Sequence, residues 1–389
     1  MARDLTTELI HHSYQPPAGF AAPQPGVHKA STVLFKDVAA LRARDWRSRD
    51  GYTYGLHGTP TTMLLEERIA TLEGGRQCLL VPSGLAAVAL VGLALLGPGD
   101  EVLLPANVYA PNRELTRHEL ARWGITHRLY DPMDTPAMAA SITAATKLVW
   151  LEAPGSVTME FPDLAELARA ARERGVLTAL DNTWGAGLAL RGFDLGIDIV
   201  MQALTKYASG GGDVLMGSVC TTDQALHERI KGTHMRLGLG VAGNDAELVL
   251  RSLPSMALRY AAQDQAARQL ARWLQAQPQV AQVLHPALPG SPGHEHWARH
   301  CTQAAGIFSV LLQPRYTQAQ VDQFVDALQL FGIGYSWAGP ISLAVPYDLR
   351  AMRPGGVLQG HLVRLCIGLE AVADLQADLQ QALQLVLAD

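Results

Sequence analysis

Between residues 60 and 225 the chain repeats one pattern: a short apolar run, a turn, then a stretch with apolar positions at helical spacing. The runs are Cys78–Val81, Glu101–Leu104, Lys147–Leu151, Leu177–Leu180, Ile197–Ala203 and Leu215–Cys220. Short apolar strands alternating with helices predict an α/β unit built on a mainly parallel sheet. Such a sheet also constrains chemistry, because ligands settle at the carboxyl ends of its strands.

Apolar periodicity next predicts a helix over about Asp245–Gln277, broken at Pro254, where the missing N–H removes a backbone bond. Beyond it, Phe308–Leu312, Ile341–Ala344 and Leu362–Ile367 read as strands, and Val321–Leu330 and Leu375–Leu387 as helices. That is a smaller α+β unit. A chain of 389 residues exceeds one core of ordinary size. We divide it into an N-terminal arm (1–58), an α/β unit (59–245) and an α+β unit that includes the connecting helix (246–389).

With 48% hydrophobic residues, 17% charged residues and a formal net charge of −5, the chain is no polyelectrolyte, and neither nucleic acid nor an anionic membrane is expected as a partner. The apolar run Gly84–Leu96 is too short to span a bilayer and reads as a buried helix. The first residues carry acids and no apolar core of a signal, so the expected compartment is the cytoplasm. Cys78, Cys220, Cys301 and Cys366 are widely spaced and read as free thiols, with no metal site.

Several polar residues stand where strands of such a sheet would end. Lys206 follows the run Ile197–Ala203; burial there would favour its neutral amine, the form that makes an imine or takes up a proton. A plain sheet-edge lysine has the same signature. Asp181 ends the run Leu177–Leu180 and could cap a turn, or sit beside a heterocyclic nitrogen and keep it protonated. Ser83 and Gly84 open an apolar helix whose first-turn amides suit a phosphate, although a capped buried helix needs no ligand. Tyr109 could stack on a flat ligand or simply pack. Arg364 interrupts the apolar strand Leu362–Ile367 and needs an anionic partner, either a structural acid or a substrate carboxylate.

Two other patterns mislead. Gly238-Leu-Gly-Val-Ala-Gly243 spells a dinucleotide motif without an apolar strand before it, and Asp264 falls inside the long helix. His294, His296 and His300 lie in a Pro/Gly-rich polar stretch with no frame to orient metal ligands, and read as solvated.

Taken in order, a set of segments resembles the pyridoxal-5'-phosphate (PLP)-dependent enzymes of cysteine and methionine metabolism. They are Tyr54-Gly-Leu-His-Gly-Thr-Pro-Thr61, Leu72-Glu-Gly-Gly75, Pro82-Ser-Gly-Leu-Ala-Ala87, Leu151-Glu-Ala-Pro-Gly-Ser-Val-Thr-Met-Glu160, Leu180-Asp-Asn-Thr-Trp184, Thr205-Lys-Tyr207, His285-Pro-Ala-Leu-Pro-Gly290 and Gly334-Tyr-Ser-Trp337. The resemblance implies the PLP-dependent transferase fold of the aspartate-aminotransferase type, with a mainly parallel seven-stranded sheet and a smaller α+β C-terminal domain. It implies Lys206 as the Schiff-base lysine, Asp181 as the partner of the pyridine nitrogen, and Tyr109 stacked on the ring. Gly84, Leu85 and Thr205 become phosphate ligands, and Tyr54 reaches the phosphate of a neighbouring copy in a homotetramer of catalytic dimers. Arg364 and Ser336 hold the substrate α-carboxylate, and Tyr335 and Trp337 line the substrate site.

The implied reaction is α,β-elimination from a small amino-acid thioether, cystathionine, to homocysteine, pyruvate and ammonia. Broader cysteine-S-conjugate cleavage, cysteine desulfhydration, chemistry at the γ-carbon and a PLP-binding regulator remain alternatives. The chain departs from the family at Leu56 and His57, where an arginine is common at the first position, and at Ala203, where a serine is common.

Overall fold

The computed structural model describes residues 3–49, 51–353 and 358–387, so the outermost residues of the expected arm and of the expected C-terminal unit lie outside it. The helix Pro60–Glu73 opens the α/β layer. Thr59 and Thr62 form its capping box, Pro60 occupies the first turn, and Gly74 ends it at φ 74°. Leu65, Ile69 and Leu72 on this helix are fully buried.

Seven strands follow: β1 (Gln77–Val81), β2 (Glu101–Pro105), β3 (Thr126–Tyr130), β4 (Thr146–Glu152), β5 (Leu177–Asp181), β6 (Ile199–Ala203) and β7 (Gly217–Thr221). Their order is β1-β7-β6-β5-β4-β2-β3, parallel throughout except that β7 runs against both of its neighbours. This inserted strand decides where the chemistry can lie. Val81 and Ala203 both pair with Gly217, while Asp181 pairs with Glu152 and Met201. The segments that follow β1, β4, β5 and β6 therefore leave from one edge.

A second, five-stranded sheet has the order β10-β11-β12-β9-β8, from β8 (Val280–Leu284), β9 (Ile307–Leu312), β10 (Gly332–Ile333), β11 (Leu343–Asp348) and β12 (His361–Cys366). One apolar cluster runs from the large sheet through Tyr207 and Tyr260 to Ile307, Leu362 and Cys366. Among the described residues, no helix is long and apolar enough to cross a membrane.

Several expectations need correction. The helix Gly243–Gln275 continues through Pro254 without a break. Leu250 and Leu253 before the proline and Met256 and Tyr260 after it are all buried, so one apolar stripe holds both halves in phase across the lost bond. β3 was not expected, because an edge strand of sequence Thr-His-Arg-Leu-Tyr exposes most of its residues and carries no apolar pattern. β8 and the two-residue β10 were not anticipated either. β11 starts at Leu343 rather than Ile341: Ile341 is exposed, and Ser342 is tied through its N–H and hydroxyl to Glu370. The arm contains two short helices, Leu5–Ile10 and Val38–Arg42.

Behind the crevice edge lies a buried polar knot. Glu73 at the end of its helix is fully buried, accepts from Asn182 Nδ2 at 2.8 Å, and also accepts from Gln202 Nε2. Burial raises its carboxyl to about 7 against the pull of those two amides. Glu73→Ala leaves both amides without this acceptor, at about 1–3 kcal/mol each. The expected outcome is an apparent melting temperature ~2–7 °C lower, read by scanning fluorimetry. Because the folded value lies above that of an unfolded carboxyl, Glu73 stabilises at acid pH and loses that contribution as pH rises from about 4.5 to 7. The melting difference between wild type and Glu73→Gln should therefore change across that window.

Candidate active site

β6 ends at Ala203, and the tight turn after it, with the Lys206 N–H donating to the Ala203 carbonyl at 3.1 Å, lifts Lys206 into the crevice between the two sheets. Its Nζ donates to Ser336 Oγ at 2.6 Å and lies 5.6 Å from the centre of the Trp337 ring. Burial, then the nearby Arg364 cation, lowers the amine to about 8, with Cys366 and Asp181 pulling the other way. About a tenth of the amine is thus neutral at pH 7, far more than for an ordinary lysine.

Asp181 closes β5, and its Oδ1 accepts from the Thr183 N–H at 3.0 Å and the Thr183 hydroxyl at 2.5 Å. Burial pushes the carboxyl up, and the Thr183 bonds and the Lys206 cation only partly offset it. A buried acid so placed gains from a positive charge brought near it.

Arg364 stands within β12, opposite Val345 and Ser309 on the neighbouring strands. It is 8% exposed, lies 5.6 Å from the centre of the Tyr347 ring, and leaves Nε and Nη2 without a hydrogen-bond partner among the described residues. Unmade bonds on a buried guanidinium are costly, and a bidentate anion removes that cost.

A helix start suited to an anion lies across the edge. Ser83 caps the helix Gly84–Leu95 by accepting from the Ala86 N–H at 3.0 Å, while the amides of the first turn have no partner within the helix. Gly84 is required here: a Cβ on it would meet the Ala203 Cβ at 2.6 Å. The helix start is thus pressed against the end of the lysine-bearing strand.

Tyr109, at the start of the helix Ala110–His118, faces the same space. Burial and then the Asp181 and Glu152 carboxylates push its phenol up, and Arg364 opposes them. Its N–H donates to Glu152 Oε2 at 2.9 Å. Glu152 ends β4, is buried, and is held well above the ordinary carboxyl range by burial and by Asp181 beside it. Nothing in the sequence singles out Glu152 or Tyr347, and Cys366 reads there only as a free thiol. Glu152 stood inside a quoted segment as one more strand-end acid, while the other two alternate with residues of ordinary strands.

The structure thus brings together Lys206, Asp181, Tyr109, Arg364, Ser336 and Trp337, with Gly84 at the margin. The side chains of the other expected residues have different surroundings. The Thr205 hydroxyl is engaged with Met216, donating to its carbonyl and accepting from its N–H. Leu85 is 37% exposed and Tyr335 81% exposed. Tyr54 is half-exposed, bridged to Thr32 and edge-on to His57, outside its own crevice.

The two misleading patterns resolve locally. Gly238, at φ 67°, ends the helix Gln224–Leu237, and Asp264 pairs with Arg268 at 2.7 Å. The histidines expected to be solvated lie in the short helix His294–His300 and are half-buried, with His294 Nδ1 donating to the Pro286 carbonyl and His296 lying 3.4 Å from Asp163.

Known proteins resemble this chain along nearly its whole length. Residues 6–384 match the family described as Cys/Met metabolism PLP-dependent enzyme. A putative cystathionine beta-lyase of Rhizobium johnstonii is 40% identical over 97% of this chain and 95% of that protein. A cystathionine beta-lyase of Bordetella avium is 39% identical over 98% of each. The crystal structure of metB from Corynebacterium glutamicum superposes with a TM-score of 0.90 at 28% identity, over 98% of each chain. The fold is accordingly the PLP-dependent, aspartate-aminotransferase type, and the chain belongs to the Cys/Met metabolism PLP-dependent enzyme family.

Proposed function

We propose that this chain is a PLP-dependent carbon–sulfur lyase that cleaves L-cystathionine by α,β-elimination to homocysteine, pyruvate and ammonia. One observation carries the reading: a buried amine that titrates near 8 shares a crevice with a guanidinium whose Nε and Nη2 have no partner among the described residues. Relatives named as cystathionine beta-lyases over nearly the whole chain support the substrate.

The residues present fit the cofactor. The first-turn amides of Gly84 and Leu85 would hold its phosphate, Lys206 its aldehyde carbon, and Asp181 its ring nitrogen, while Tyr109 would lie on the ring. Bound PLP supplies a sink for the electron pair left at the substrate α-carbon. Arg364 and Ser336 would hold the α-carboxylate and so fix which α-bond faces Lys206. The neutral Lys206 amine removes the α-proton, and as an ammonium it returns a proton to the sulfur leaving Cβ. Trp337 beside Nζ helps keep water from that amine. The released enamine hydrolyses to pyruvate and ammonia.

We further propose that the enzyme works in the cytoplasm as a homotetramer of catalytic dimers. The side chain of Tyr54, half-exposed and outside its own crevice, would then serve the phosphate of the neighbouring copy.

With purified enzyme and cystathionine, pyruvate and homocysteine should appear in equal amounts; α-ketobutyrate with cysteine would overturn the β assignment. Lys206→Ala should lower kcat by at least about a thousandfold, and Arg364→Lys should raise KM by about tenfold or more by losing the bidentate fork. Lys206 captures the cofactor aldehyde only as a neutral amine. Reconstitution of the cofactor-stripped enzyme should therefore speed up with pH and level off near 8, whereas an ordinary lysine would keep gaining to about pH 10.

A further inference from the structure

Ser336 adopts φ 99°, a backbone region that L side chains rarely occupy, so its neighbours must hold it there. Two contacts do so from opposite ends of the residue. Its hydroxyl accepts from Lys206 Nζ at 2.6 Å, and its carbonyl accepts from Cys366 Sγ at 3.4 Å. Cys366 lies two residues beyond Arg364 on β12, so both side chains leave the same face of the strand. The thiol is 1% exposed, and burial raises its pKa against the opposing pull of Arg364 beside it and of Lys206, which keeps it protonated and able to donate.

We propose that Cys366 is a positioning residue for the reaction: its thiol pins the Ser336 carbonyl, fixes the strained backbone, and so aims the Ser336 hydroxyl at Lys206 Nζ. The relay joins β12, which also carries Arg364, to the amine that moves the proton. Without the thiol the Ser336 backbone relaxes, the hydroxyl turns away, and the ammonium form of Lys206 loses an acceptor. The amine then titrates lower and is less well aimed at the substrate α-proton. The proposal rests on the reading of Lys206 as the proton-transfer residue.

The test compares Cys366→Ala, which removes the donor, with Cys366→Ser, which keeps one at the same position. Two readouts are taken: steady-state kinetics of the holoenzyme, and the pH dependence of Lys206 acylation, followed by mass spectrometry in the full chain stripped of cofactor. Arg364 and Asp181, which also face Lys206, are unchanged in both variants; Cys366 acts on the amine directly as well, and Ser336→Ala, which leaves the thiol in place, separates that effect from the relay. In Cys366→Ala, kcat should fall about tenfold with KM within about twofold, and the Lys206 inflection should drop by about one unit. Cys366→Ser should restore both. Wild-type kcat and inflection in Cys366→Ala, or a serine variant as impaired as the alanine one, would overturn the proposal.

Ser336→Ala probes the other end of the relay without disturbing the buried thiol and carries the test if Cys366→Ala does not fold. The Lys206 inflection must fall by a similar amount, and an unchanged inflection refutes the relay. If borohydride reduction of the holoenzyme attaches the cofactor to a peptide lacking Lys206, the functional reading falls. The relay is judged separately by the Lys206 inflection, which needs neither cofactor nor substrate.

Discussion

The pairing of one short strand, β7, against both of its neighbours is the constraint on which the site depends. By running opposite to β1 and β6 it brings Val81 and Ala203 to the same residue, Gly217. The approach is close enough that side chains must be nearly absent: a Cβ on Gly217 would lie 2.4 Å from the Ser83 carbonyl oxygen. The helix start that suits a phosphate and the turn that carries Lys206 are therefore held together by main-chain contact. Loop sequence can drift around such a contact more easily than the contact itself.

Around this fixed edge the protein leaves charges in unfavourable surroundings. Asp181 and Glu152 are adjacent acids, both pushed toward protonation by burial. Arg364 is buried with two unpaired nitrogens, and Lys206 is driven toward its neutral form. Each of these states is costly in the bare protein and is relieved by a specific ligand group. A cationic ring nitrogen answers Asp181, and a carboxylate answers Arg364. Such sites are selective because the wrong ligand leaves the cost unpaid by any contact.

Most of the large sheet was legible from sequence, since buried parallel strands are continuous apolar runs; Lys206, Asp181 and Tyr109 stood out after such runs, but a plain structural reading fitted each until the family resemblance singled them out. The edge strand β3 was not, because a strand exposed on most of its residues needs no apolar pattern. Pro254 signals a break by its local backbone chemistry, but the buried apolar stripe on either side overrides it. Within the site, Arg364 was visible as a charge in an apolar strand. Cys366 was not, since a cysteine in such a strand looks like any small core residue; its meaning depends on the backbone angle of Ser336, thirty positions away.

The unbroken helix through Pro254 has a consequence for how the two sheets keep their distance. Arg259 on it donates to the carbonyl of Tyr207, next to Lys206, and Tyr260 donates to the carbonyl of Trp184 beyond Asp181. One turn further along, Gln263 donates to the carbonyl of Gly339, close after Ser336 and Trp337. The helix is thus a ruler that touches both halves of the crevice within a few residues. One residue added between Tyr260 and Gln263 would advance everything beyond it by about 1.5 Å and turn it by about 100°. Connecting loops can change length in this architecture, but this stretch of helix cannot without separating the amine from the groups that hold its substrate.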